Sequence, residues 1–118
     1  MSLMFYKVLH IIGILMLFLS IGGAIIRASI DQKSEKLEKF VLMNHGIALI
    51  IIVIAGFGML AKLGMVFTGW VVVKIIIWLL MGALILPIKK MPEKRTVWWF
   101  TALILGGIAA FMAIYKPF

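Results

Sequence analysis

The chain contains no cysteine, three prolines and only four acidic residues in 118. Without cysteine, disulfides, thiolate metal sites and thiol redox chemistry are excluded. The carboxylates Asp31, Glu35, Glu38 and Glu93 all fall in predicted connecting segments, and none lies within an apolar stretch. That absence argues against a proton-coupled carrier built on an intramembrane Glu or Asp. It equally disfavours the small four-helix multidrug exporters, whose first helix carries an essential glutamate. No Gly-rich phosphate loop, no H-E-x-x-H and no nucleophile elbow occurs. Two separated histidines with no intramembrane carboxylate cannot build a closed zinc or copper site, so no metal centre is expected.

What the chain does have is oil. Hydrophobic residues make up 65% of it, and the mean hydropathy is +1.24. Soluble domains are typically about half apolar. Four apolar stretches, Phe5–Ile26, Phe40–Leu60, Phe67–Leu86 and Val97–Ala113, each approach the ~20 residues a helix needs to cross a bilayer. The expected fold is an all-α membrane protein, a single domain over 1–118. It is an antiparallel four-helix transmembrane bundle, up-down-up-down, with helices about 5–26, 40–60, 67–86 and 97–113. The first stretch is too long for a signal-peptide core, and no A-x-A site follows it, so it reads as a retained helix.

The net charge of +8 does not point to nucleic acid, because the basic residues flank the apolar spans. They read as topology signals and as contacts with anionic lipid. One side of the membrane carries Lys7, Lys62 and Lys116; the other carries Arg27, Lys33, Lys36, Lys39, Lys89, Lys90, Lys94 and Arg95. Eight against three, on short loops, predicts that the richer side is cytoplasmic and that both termini lie outside the cytoplasm. Phe5, Tyr6, Trp70 and Tyr115 belong at the outer interface, and Trp98 and Trp99 at the inner one. Trp78 sits mid-span and is expected inside the bundle.

The connections have distinct chemistry. The first, Arg27–Lys39, alternates charge and is expected to prolong the neighbouring helices, with Glu35 and Lys39 spaced to pair. The second, around Lys62–Val66, contains Gly64 and reads as a tight turn. The third, Pro87–Thr96, is bounded by Pro87, where helix three is expected to end. In lipid, helices associate by close approach at small residues. Candidate inward stripes are His10, Gly13, Leu17, Ser20, Ala24 and Arg27 in the first helix, and His45, Ala48, Ile52, Ala55 and Met59 in the second. Ala102, Gly106, Ala109 and Ala113 form a stripe in the fourth. That last stripe fits either an intrachain contact or the seam of a homo-oligomer; spacing does not separate them.

Three ionisable side chains lie inside the spans: His10, His45 and Lys74. Such groups are costly in lipid and are candidates for function by default. His10 and Lys74 both lie on helices entering from the outer face, at ~8 Å depth by helix rise. His45 enters from the other face. It should be separated from His10 along the membrane normal by on the order of 13 Å, so a bis-histidine haem from this pair is not expected. A single-histidine haem remains open, with His10 as axial ligand and Lys74 meeting a propionate. Equally open are structural readings: Lys74 snorkelling to headgroups, His10 bonding a neighbouring helix, and His45 beside Asn44 forming a polar pair.

Lys7-Val8-Leu9-His10, Asn44-His45, Gly56, and Trp70 with Lys74 together resemble the SirB family of small bacterial inner-membrane proteins. The basic third loop and the small-residue fourth helix are similar as well. Ala48 stands where those proteins usually carry aspartate, and Ala24 where they usually carry arginine. The histidine in helix one with a lysine in helix three also resembles, more distantly, the HemJ-type protoporphyrinogen oxidases, which bind haem. The resemblance implies a multi-pass protein of the bacterial inner membrane. It carries over His10 and Lys74, and for the SirB pattern His45, as cofactor-binding candidates. Haem b is then the leading cofactor. The alternatives are a structural or accessory membrane protein without ligand, and a HemJ-like porphyrinogen oxidoreductase.

Overall fold

A computed structural model describes residues 2–30, 34–64 and 68–117. Asp31, Lys33 and positions 65–67 of the expected second turn lie outside the described residues. The elements are α1 (Leu3–Ser29), α2 (Glu35–Leu63), α3 (Gly69–Ala83), α4 (Ile85–Lys90), a 3-10 turn (Pro92–Lys94) and α5 (Arg95–Tyr115). Their ends are chemically marked. The Ser2 hydroxyl accepts from Phe5 N–H to cap α1, and the Ser34 hydroxyl accepts from Leu37 N–H to cap α2. Gly64 closes α2 in the left-handed region at φ 65°, where a side chain would be strained.

Four spans long and apolar enough to cross a membrane result: Leu3–Ser29, Glu35–Leu63, Gly69–Lys90 and Pro92–Tyr115. The third differs from expectation. Pro87 does not end it; the helix restarts at Ile85 and runs to Lys90. Proline has no N–H to offer the carbonyl four residues back, so the interruption appears a turn earlier, at Leu84. The helical bonds Leu84 N–H to Leu80 O and Ile88 N–H to Leu84 O bridge the break. The loop between the last two spans shrinks to Met91 and the 3-10 turn.

α1 packs along α2 over most of its length, α5 closes against both α1 and α3, and α3 meets α2, so the helices form a ring in chain order. At its tightest, a side-chain carbon at Gly13 would come within 3.2 Å of the Ile52 backbone nitrogen. Only glycine admits that approach, which is how helices gain contact where lipid supplies no hydrophobic drive. The fourth-helix stripe faces its own chain. Ala102 is buried, Gly106 lies against the Phe18 ring and Ala109 packs on the core.

The core has one end. Leu17, Ile21, Ile25, Met81, Leu84, Ile88 and Ala102 are buried together, in the half of the bundle that carries Arg27 and Lys89 (the basic end). The opposite, His10 end is thinner: beyond Ala102, α5 has no buried residue. Around the outside, large apolar side chains face outward, with Leu19 at 73% and Ile114 at 75% exposure. A continuous apolar surface of this kind needs an apolar solvent. This is a multi-pass helical membrane bundle.

Candidate functional site

His10 projects from the second turn of α1 onto α2. Its Nδ1 is 3.0 Å from the Ile52 carbonyl oxygen. A carbonyl can only accept, so Nδ1 carries the hydrogen and the lone pair resides on Nε2. That arrangement, one nitrogen fixed by a backbone carbonyl and the other left as a donor of electrons, is how ligating histidines are oriented. Gly56 supplies the room: a Cβ there would sit 3.4 Å from His10 Cε1. One turn toward the membrane edge, the Tyr6 ring occupies the space a side chain at Gly58 would need.

Lys74 completes a register that the sequence pattern did not expose. Trp70, Ile77, Met81, Leu84 and Ile88 are buried on the third span at alternating spacings of four and three. Position 74 falls in the gap between Trp70 and Ile77 on that same inward face. Small residues marked the stripes on the other helices; here the stripe is made of large ones. Lys74 lies within electrostatic range of His10 and of Lys116. It makes no hydrogen bond or ion pair among the described residues. Lys116 itself holds its ammonium 5.5 Å from the centre of the Trp70 ring. The result is a cluster of Lys74, Lys116 and His10 at one end of the bundle, with all described carboxylates at the other. The Thr68 hydroxyl, at the start of α3, is buried there without a hydrogen-bond partner among the described residues.

His45 is placed elsewhere. Its Nε2 lies 3.1 Å from the Gly82 carbonyl oxygen and so donates to it; its Nδ1 lies 2.9 Å from Ser20 Oγ. Ser20 Oγ is also 2.7 Å from the Leu17 carbonyl oxygen. The single hydrogen of the Ser20 hydroxyl goes to the Leu17 carbonyl, which can only accept. Both ring nitrogens are engaged within the protein, and one side chain ties α1, α2 and α3 together. Since His45 is level with Ser20, it stands about 15 Å from His10 along the helix axis by the rise per residue. The two imidazoles do not meet.

Other polar groups in the spans follow the pattern of His45. Asn44 Nδ2 donates to the Met16 carbonyl at 2.8 Å and Trp78 Nε1 to the Leu49 carbonyl at 3.0 Å, both between helices. Trp98 Nε1 donates to Met91 O at 3.0 Å and anchors the last connection. At the basic end, Glu38 is shared by Arg27 at 2.9 Å and Lys89 at 2.7 Å. The expected pairing of Glu35 with Lys39 is not among the ion pairs of the described residues; Glu38 instead takes Arg27 of the first span and Lys89 of the third. No group of three or more potential metal ligands occurs among the described residues.

Comparisons with protein-family models, with curated proteins and with solved structures yield no match.

Proposed function

We propose that the His10 end binds a lipophilic acid, an apolar body bearing a carboxylate, with haem b the first candidate. The observation that carries this reading is Lys74: a cation in inward register, near two further basic groups, with no acidic side chain among the described residues at its end of the molecule. A buried or half-buried cation in lipid is costly unless an anion accompanies it. Among such acids, haem is favoured by the tautomer of His10, whose Nε2 is available to an iron at the depth where Lys74 and Lys116 can pair with propionates. A bound haem would supply redox or ligand-binding chemistry; the chain's own residues orient it and balance its charge. In this reading the protein sits in the bacterial inner membrane as a SirB-like protein, with its basic end toward the cytoplasm. A HemJ-like porphyrinogen oxidation is the enzymatic version of the same site.

The test is an absorption spectrum of the purified protein titrated with haem. A shifted Soret band that His10→Ala abolishes and Lys74→Met weakens by roughly tenfold in affinity supports the reading. A spectrum that His10→Ala leaves untouched removes it.

A second reading is a structural or accessory membrane protein without ligand. It is favoured by Asn44, His45 and Trp78, which are all spent on bonds between helices. Under it, Lys74→Met and His10→Leu leave both folding and host phenotype unchanged.

A further inference from the structure

A groove of about 550 Å³ lies at the opposite end from His10, on the lipid-facing side of the bundle. Its floor is Gly22 and Gly23 of α1; Phe18, Val41 of α2 and Trp99 of α5 form walls, and Arg27 stands at its mouth. The volume is within the range of about 300–1,000 Å³ typical of small-molecule sites. The groove exists because α1 lies between α2 and α5, and the glycines leave a channel where side chains would otherwise fill the gap. It is apolar along its length and charged only at the basic end.

We propose that this groove holds an acyl chain of an anionic phospholipid, with the phosphate at its basic mouth. The occupant follows from the charge. Arg95 lies one turn from Trp99 on the same face of α5, and it is exposed. Arg27 is already held at the mouth by Glu38 and the Ser34 carbonyl, so the exposed Arg95 is the guanidinium offered to the phosphate. An arginine fork matches a phosphate in geometry and sign. The mouth also lies where a headgroup sits, at the level of the half-exposed Trp99 ring, a residue suited to the membrane interface. A second copy of the chain is the less fitting occupant. A two-fold contact would bring the same arginines against each other, and Glu38 is already shared. This site is independent of the one containing His10.

The experiment is native mass spectrometry of protein taken from bilayers of equal phosphatidylglycerol and phosphatidylcholine with matched chains. Phosphatidylglycerol should be retained in preference by about fivefold or more, the contribution of one interfacial cation. Gly22→Leu fills the floor and should remove the retained lipid. The site tolerates it sterically, since a Cβ at Gly22 meets only Trp99 Cζ3 at 4.0 Å. Gly107→Leu, at a glycine of α5 whose Cβ meets nothing, should retain it. Arg95→Gln keeps the groove and should erase the headgroup preference, and it serves as the test if Gly22→Leu fails to insert. The proposal falls if Gly22→Leu and Gly107→Leu retain lipid alike. It falls equally if the two lipids are held equally, or if Gly22→Leu dissolves a dimer instead of releasing lipid.

Discussion

At the basic end, Ser20, Asn44, His45 and Trp98 each have a named partner, and Ile21, Met81 and Ile88 are packed out of contact with lipid. At the His10 end, α5 buries nothing, Lys74 has no partner among the described residues, and one imidazole nitrogen is left with its lone pair. The same four helices build both ends. The difference is in the polar groups of the spans: those near the basic end are bonded within the protein, whereas Lys74 at the His10 end has no partner among the described residues. Packing is denser in the basic half, although Trp70, Val71 and Ala55 are buried in the other. Binding sites are drawn from the less packed regions of a fold, where local opening costs least.

Three tests sharpen or break this contrast. The largest effect is expected from Ile21→Ala, at 2% exposure in the basic-end core. It should destabilise the bundle by about 2 kcal/mol or more, while Met112→Ala at the other end costs less than about 1 kcal/mol. Reversible unfolding in mixed micelles measures both; equal losses would erase the distinction between the halves. Next, His45→Ala should cost about 1 kcal/mol through the bonds to Ser20 and Gly82 while leaving haem titration unaltered. His10→Ala should do the reverse, abolishing the spectral shift with a smaller loss of stability. A His45 variant that loses the spectral shift yet keeps its stability would invert the two roles. The smallest effect is expected from Lys74→Met. Without ligand it should be neutral or raise stability by about 1 kcal/mol, because it removes a cation from an apolar setting. A clear loss of stability would mean that Lys74 is a structural contact.

Much of the fold was legible in residue spacing. The stripes through Gly13, Leu17 and Ser20, and through His45, Ala48, Ile52 and Ala55, are the buried faces of α1 and α2. They were readable because small and polar residues stand out against leucine and isoleucine. The face of the third span was not readable, since Trp70, Ile77, Met81 and Ile88 look the same as the residues turned to lipid. Pro87 misled because a proline's steric and bonding effects fall on the turn before it, and a helix can resume through it when the surrounding bonds hold. The ion pairs of Glu38 were not legible either, because Arg27 and Lys89 reach it from other spans.

Apolar run length and constant helix rise determined, from the sequence alone, that four spans cross the membrane in alternating directions. They also determined that His10 and Lys74 share a level which His45 does not. Tertiary packing decided what those groups can do: Ile52 O claims one nitrogen of His10, Ser20 and Gly82 claim both of His45, and nothing among the described residues claims Lys74. Depth follows from counting along one helix. A partner depends on the rotation of that helix against its neighbours, which is settled only where their side chains meet.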